Sequence, residues 1–291
     1  MNIYCENDNL IIESVDDFDI SEILECGQCF HFTKIADMEY ELINYNKYLH
    51  VKQDGKKVLL YDTDIDAYNN IWSQYFDMET DYAAIKKQII SIDGRLLQSV
   101  NSKNGIRILK QNFFETLISF IISQNKQIPH IKQIVHNISE KFGDEISLMD
   151  GRKVYSFPDA KRLNAVSEDE IRACKVGFRA PYIMDACDKV STGQIREEKL
   201  REMSYKDAKE CLMSIKGVGE KVANCVLLFS LGKTDAFPVD VWMKRIMEAM
   251  YFGKDTKKEI IEKFAYERFG SLSGYAQQYL FCYGREIGLG K

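Results

Sequence analysis

Near residue 104 the hydrophobic pattern of this chain changes period, and that switch limits the fold more than any other feature. Before it, apolar residues alternate over short runs. Tyr40-Glu41-Leu42-Ile43-Asn44-Tyr45 and Tyr48-Leu49-His50-Val51-Lys52 read as strands. Gln53-Asp54-Gly55-Lys56 is a hairpin turn, because glycine reaches positive φ without a steric penalty, and Lys57-Val58-Leu59-Leu60-Tyr61 is the return strand. A helix is expected near residues 81–91. After the switch the period is helical. Asn112 caps a run over 113–123, and residues 128–142 put Ile128, Ile131, Ile134, Val135 and Ile138 on one face. Ser167-Glu168-Asp169-Glu170 is a capping box, and Ser204-Tyr205-Lys206-Asp207 is a similar start signal. Helices over 239–250, 257–269 and 275–286 complete the pattern. The expected class is α+β: an antiparallel sheet domain over 1–103 and an all-helical domain over 104–291. No 20–50-residue repeat and no low-complexity linker interrupts it.

Composition narrows the function. The 291 residues are 45% hydrophobic and 29% charged, which suits a chain with a substantial core. No apolar run approaches the roughly 18 residues of a membrane span. The amino terminus has no basic leader, so an intracellular, cytoplasmic or nucleoid-associated protein without a targeting segment is expected. Eight cysteines in such a chain suggest reduced thiols. Cys26 and Cys29 form a CxxC, but no second pair stands at zinc-site spacing and the surroundings do not look like a thioredoxin unit. The net charge is −5, which looks wrong for a nucleic-acid binder. It is unevenly spread, however. The first hundred residues carry 8 basic and 19 acidic side chains, the remainder 31 and 25. A polyanion would therefore meet the second part, although an unevenly charged surface has the same composition.

The second part also carries the one motif with chemistry in it. A helical segment over 208–214 runs into Ile215-Lys216-Gly217-Val218-Gly219 and then Glu220-Lys221-Val222-Ala223-Asn224-Cys225. Two glycines around an aliphatic residue make a tight hairpin that foreign atoms can approach closely. The free N–H groups at the second helix's start can hold a phosphate. A plain helical hairpin shares this much. Lys221 lies in the first helical turn, where the helix dipole and partial burial both disfavour an ammonium, and an uncharged amine is a nucleophile. Nineteen residues on, Phe237-Pro238-Val239-Asp240 precedes another helix, so Asp240 can cap it and present a carboxylate to developing positive charge.

Gly-Val-Gly, then Lys, then Pro-Val-Asp resembles the helix-hairpin-helix, Gly/Pro…Asp superfamily of DNA glycosylases, in its lysine-bearing bifunctional form. Further stretches resemble 8-oxoguanine DNA glycosylase of the eukaryotic type: Cys26-Gly27-Gln28-Cys29-Phe30, Gly105-Ile106-Arg107-Ile108-Leu109-Lys110-Gln111, Phe120-Ile121-Ile122-Ser123-Gln124-Asn125, Val176-Gly177-Phe178-Arg179-Ala180 and Gly274-Tyr275-Ala276-Gln277-Gln278-Tyr279-Leu280-Phe281. They fall in family order over residues 26–281. The resemblance implies a TBP-like sheet packed on a helical glycosylase domain. It also implies an enzyme that flips 8-oxoguanine out of double-stranded DNA, excises it and nicks the strand, and a monomer is the default expectation for an enzyme that kinks a duplex.

Site residues follow from the same resemblance. Lys221 is the implied nucleophile and Asp240 the electrostatic partner. Gly27 matches the residue whose carbonyl receives the lesion's N7–H, a donor that guanine lacks. Gln277 matches the reader of the base's Watson–Crick edge, where an amide offers donor and acceptor together. Phe281 and Cys225 match the groups on the two faces of the base, although by type alone both are ordinary core residues. Asn125 and Phe178 match the residues that fill or wedge the emptied stack, with Phe where the human-type enzymes have Tyr. Arg179 matches an arginine facing the estranged cytosine. His130 stands where those enzymes carry a second cytosine-reading arginine, and fewer donors imply relaxed opposite-base selectivity. Trp242 replaces a histidine near the phosphate, Gly217 and Gly219 form the phosphate-gripping hairpin, and the carbonyls of Met213, Ile215 and Val218 are implied ligands of a structural monovalent or Ca2+ ion. No other cofactor is implied. An iron–sulfur cluster is excluded on ligand count, since only Cys282 follows Asp240. Two alternatives remain at this point: a glycosylase for another damaged base, and a non-catalytic helix-hairpin-helix DNA-binding module.

Overall fold

A computed structural model describes residues 1–289 of the chain. Six strands form one antiparallel sheet: β1 (Asn2–Glu6), β2 (Asn9–Glu13), β3 (Phe32–Ala36), β4 (Glu39–Asn44), β5 (Lys47–Asp54) and β6 (Lys57–Tyr61), in the order β1-β2-β6-β5-β4-β3. The inner strands alternate as the sequence demands. Tyr40 and Leu42, Leu49 and Val51, and Val58 and Leu60 all point to one buried face. The short helix α1 (Ile20–Glu25) covers that face with Ile20, Ile23 and Leu24, and Trp72 packs into the same core. Asp19 caps α1 by accepting the N–H groups of Ser21 and Glu22.

After α2 (Tyr82–Ile92), the second part is built around α3 and, contrary to expectation, is not all-helical, because Glu145–Ser147 and Lys153–Tyr155 pair as a small antiparallel hairpin. α3 (Phe113–Ile122) is capped by Asn112 and buried on every side except at Glu115. It packs among α4 (Ile128–Phe142), α5 (Ala180–Ser191) and α7 (Glu220–Phe229). The hairpin joins α6 (Tyr205–Met213) to α7, and α8 (Val241–Met247), α9 (Lys258–Phe269) and α10 (Ser273–Glu286) close the bundle. Two helices depart from the expected positions. α6 starts at Tyr205, directly after its Ser204 cap, three residues before the expected helix. α8 starts two residues after the expected 239, because Asp240 is its cap and not its second residue, and past Met247 the helix continues as a wider π-turn through Phe252, beyond the expected 250.

One buried glutamine fastens the two halves where it matters. Gln28 donates to the carbonyls of Ile23 and Arg107, both at 2.8 Å, and accepts from Leu109 N–H at 2.9 Å. Its own carbonyl accepts from Gln111 Nε2 at 2.8 Å. A side chain with every polar atom engaged in the dry interior fixes its backbone, and here that backbone includes Gly27. Among the described residues, no helix is long and apolar enough to cross a membrane.

Candidate active site

Residues far apart in sequence meet around a cavity of about 420 Å³. Cys26 and Gly27 come from the loop after α1, Phe120 and Ser123 from the end of α3, Lys221 and Cys225 from α7. Asp240 and Trp242 come from the start of α8, and Gln277, Phe281 and Arg285 from α10. A wider groove of about 810 Å³ runs along β3, β4 and α4, but none of the expected site residues lines it. Several of its polar groups are already paired, among them His31 with Glu115 and Glu41 with Arg152.

Lys221 is half-buried in the first turn of α7. Its Nζ donates to Ser123 Oγ at 3.1 Å and lies 4.7 Å from the centroid of the Phe120 ring. That ring is held by stacking on Phe229 and by an edge contact with Phe30, both at 5.6 Å. One turn further along α7, Cys225 is buried, and that burial pushes its thiol up to about 11. It therefore faces the cavity as an uncharged thiol. Asp240 caps α8 through Oδ1, which accepts Met243 N–H at 2.7 Å. The cap takes one carboxylate oxygen and pins the group at the cavity wall.

Gln277 is oriented on both sides of its amide. Nε2 donates to the Pro238 carbonyl at 3.2 Å, and Oε1 accepts from Gln278 Nε2 at 2.8 Å. One N–H and one lone pair remain for a ligand. Phe281 lies four residues on, over the next turn of α10. Gly27, which lines the cavity, sits at φ +90°, a conformation that suits glycine. Arg285, which sequence reasoning missed, carries its guanidinium 5.4 Å from the Phe281 ring centroid and close to Gly27. Its position four residues after Phe281 was the available signal. The two thiols of the CxxC diverge. Cys26 meets Cys282, whereas Cys29 reaches the Leu24 carbonyl, and no metal-binding cluster of His, Cys, Asp or Glu occurs among the described residues.

Outside the cavity, the expected wedge residues are exposed. Phe178 is 53% exposed and meets Tyr182 edge-on, while Asn125 (φ +53°) and His130 are exposed. Arg179 departs from the expectation. It is 3% exposed, and its guanidinium donates to the carbonyls of Val176 and Gln124 while covering the Phe178 ring. In this conformation it supports the wedge from behind, and reaching an unpaired base requires it to release those carbonyls. At the hairpin, Gly217 has φ +78° and Val218 N–H donates to the Ile215 carbonyl. Lys189 Nζ donates to the Ser214 carbonyl at 2.6 Å, so one cation already serves this turn.

Two family models match the chain in succession. The 8-oxoguanine DNA glycosylase N-terminal domain matches residues 10–117, and the HhH-GPD superfamily base excision DNA repair protein matches residues 118–269. The chain belongs to the 8-oxoguanine DNA glycosylase family of that superfamily. A probable N-glycosylase/DNA lyase of Methanothermobacter thermautotrophicus is 31% identical over 239 residues, 75% of this chain and 74% of that protein. The N-glycosylase/DNA lyase of Saccharomyces cerevisiae is 33% identical over 64% of this chain and 58% of its own length. The crystal structure of Clostridium acetobutylicum 8-oxoguanine glycosylase/lyase, in complex with double-stranded DNA containing cytosine opposite 8-oxoG, superposes with a TM-score of 0.95. It is 40% identical, with 99% of both chains covered. Family membership accounts for the sheet fused to the helices: the sheet domain delivers Gly27 to a cavity whose other walls are helical.

Proposed function

We propose that this chain excises 8-oxoguanine from duplex DNA and then cleaves the strand as a lyase. The observation that carries the reading is the convergence of Lys221, Asp240, Gln277, Phe281 and Gly27 on one cavity, inside a fold shared at 40% identity with an 8-oxoguanine glycosylase/lyase. The flipped purine lies between the Phe281 ring and the Cys225 thiol. Gln277 reads its Watson–Crick edge, and the Gly27 carbonyl accepts N7–H of the lesion. Guanine would bring a lone pair there instead, leaving two acceptors face to face. The uncharged Lys221 amine forms a bond to C1′ as the C1′–N9 bond breaks, and the base takes that electron pair. Asp240 stabilises the positive charge on the sugar. The nitrogen then loses a proton, and its lone pair forms the C1′=N iminium as the C1′–O4′ bond breaks, its electron pair going to O4′, which takes a proton. Loss of a C2′ proton expels the 3′ phosphate and nicks the strand.

Asn125 and Phe178 fill or wedge the emptied stack, Arg179 faces the estranged cytosine once it releases its carbonyl partners, and His130 in place of an arginine relaxes the preference for cytosine. Gly217 and Gly219 grip the backbone, with Trp242 near the phosphate. The carbonyls of Met213, Ile215 and Val218 are hard oxygen donors at the end of α6, which fits a monovalent or Ca2+ ion. Such an ion would add positive charge beside the DNA backbone. The enzyme acts as a monomer. The deciding experiment is single-turnover cleavage of an 8-oxoguanine duplex with borohydride trapping. Lys221→Gln should lose turnover and trapping while binding lesion DNA within about threefold of wild type. Robust trapping by that variant would overturn the assignment.

A further inference from the structure

An amine on four methylenes is a poor nucleophile until something aims it, because attack at carbon requires the lone pair on one line. Ser123 closes α3 and is one of two side chains that hydrogen-bond Lys221, the other being the Cys225 thiol one turn along α7. Lys221 Nζ donates to its Oγ at 3.1 Å. The serine hydroxyl in turn donates its single proton to the Phe120 carbonyl at 2.8 Å. With that proton committed, Ser123 can only accept from the amine; it cannot donate to the nitrogen and mask the lone pair. The Phe120 ring, clamped by Phe30 and Phe229, blocks one further side of the nitrogen at 4.7 Å. The remaining direction is the cavity that Asp240 and Gln277 also line.

We propose that Ser123 is a positioning residue for the nucleophile: its hydroxyl, pinned by the Phe120 carbonyl, accepts an N–H of the uncharged Lys221 amine and turns the nitrogen lone pair toward C1′ of the flipped nucleotide. The inference rests on Lys221 being the nucleophile. Ser123 itself gains and loses no proton. The N–C1′ bond forms from the lone pair that Ser123 leaves free, while the C1′–N9 pair departs with the base. Base recognition lies with other groups, so the effect belongs to the chemical step and not to binding.

The test uses the full chain with Ser123→Ala and Ser123→Thr. Three quantities are measured: single-turnover base release from an 8-oxoguanine duplex with enzyme in excess, borohydride trapping rate, and Kd for a duplex carrying a tetrahydrofuran abasic analogue. Ser123→Ala should slow base release and trapping together by tenfold or more with Kd within twofold. Ser123→Thr, which restores the hydroxyl, should recover to within about threefold of wild type. The proposal falls if Ser123→Ala keeps the wild-type rate, if its loss appears in Kd, or if Ser123→Thr binds normally but is as slow as the alanine variant. Failure of the wild-type enzyme to trap would instead overturn the reading of Lys221.

Discussion

Gly217 and Gly219 flank the same valine, yet the structure asks very different things of them. Gly217 sits at φ +78°, and a Cβ there would lie 2.3 Å from Tyr182 Cδ2 and 2.4 Å from Cγ. Left-handed backbone costs a non-glycine residue about 1–2 kcal/mol. The overlap forces the ring or the hairpin to move, an overpacking of about 1–3 kcal/mol. Gly217→Ala should therefore lose about 2–5 kcal/mol. Gly219 is extended at φ −96° and ψ −177°, and a Cβ there meets nothing within 4 Å. Alanine at that helix cap forfeits only about 0.5–1 kcal/mol. At about 2–4 °C per kcal/mol, thermal melts without DNA should show a drop of about 4–20 °C for Gly217→Ala and under about 4 °C for Gly219→Ala. Tyr182 also buttresses the exposed Phe178, so the first variant should bind lesion duplex more weakly. The slope of log Kd against log salt should shrink by about 0.9 for each phosphate the variant no longer neutralises. Equal melting losses from the two variants, or a Gly217→Ala protein that melts within about 2 °C of wild type, would refute the steric argument.

Other consequences are open to direct measurement. His130→Arg should raise the preference for cytosine over the other three opposing bases, measured as single-turnover rates on the four duplexes; unchanged ratios would count against His130 as the cause of relaxed selectivity. Cys225, pushed up to about 11, carries only about 0.1% thiolate at pH 8. Mass-mapped alkylation at that pH should label exposed Cys5 long before it, and fast labelling of Cys225 would contradict the burial. Asp93 is buried, which works to raise its carboxyl, but the Arg95 N–H and the guanidinium groups of Arg95 and Arg268 outweigh that and hold it below the ordinary 3.8. A depressed folded-state value means stability that is full above about pH 3.8 and is lost as pH falls through the folded value. Asp93→Asn should cost about 1–2 kcal/mol at pH 7. Its deficit relative to wild type should narrow in acid melts below about pH 4; a constant deficit would show that the carboxylate charge is not involved.

Most of the architecture was legible because it rests on local chemistry. Asn112, Ser167 and Ser204 each announce a helix through a side chain that accepts a backbone N–H three residues on, and all three bonds form. Gly55 marks the β5–β6 turn for the same kind of reason. The β1–β2 hairpin went unread because its turn is Asn7-Asp8, with φ of 50° and 62°, and carries no glycine. α1 has only six residues, too few for a 3.6-residue period to register. In the site, the family motifs pointed to Lys221, Asp240, Gln277 and Phe281. Nothing local pointed to Ser123 as a partner of Lys221, since the contact spans 98 positions and depends on how α3 meets α7. Arg179 illustrates the converse. Its place in the motif suggested an arginine facing the estranged cytosine, whereas its guanidinium donates to the Val176 and Gln124 carbonyls, a pairing that only the tertiary fold reveals.

The same dependence on tertiary contact explains why the sheet cannot be treated as an appendage. Gly27 offers one carbonyl, and discrimination by a single acceptor works only if that oxygen cannot retreat when guanine's lone pair approaches. Gln28, next in the chain, supplies the rigidity by tying its amide to Ile23, Arg107 and Leu109. Arg107 is itself anchored, donating to the carbonyls of Asp77 and Asp17 with its guanidinium over the Tyr82 ring. The chain of contacts runs from the acidic first hundred residues into the helices and ends at the atom that would tell lesion from base. Gln28→Ala should therefore damage selectivity more than folding. The rate on 8-oxoguanine should fall by tenfold or more, because loosening the Gly27 peptide removes the penalty on guanine and the reward on the lesion together. Affinity for an abasic-analogue duplex, which never touches that carbonyl, should hold within twofold. A Gln28→Ala enzyme that loses both in proportion would show that the glutamine merely stabilises the domain junction.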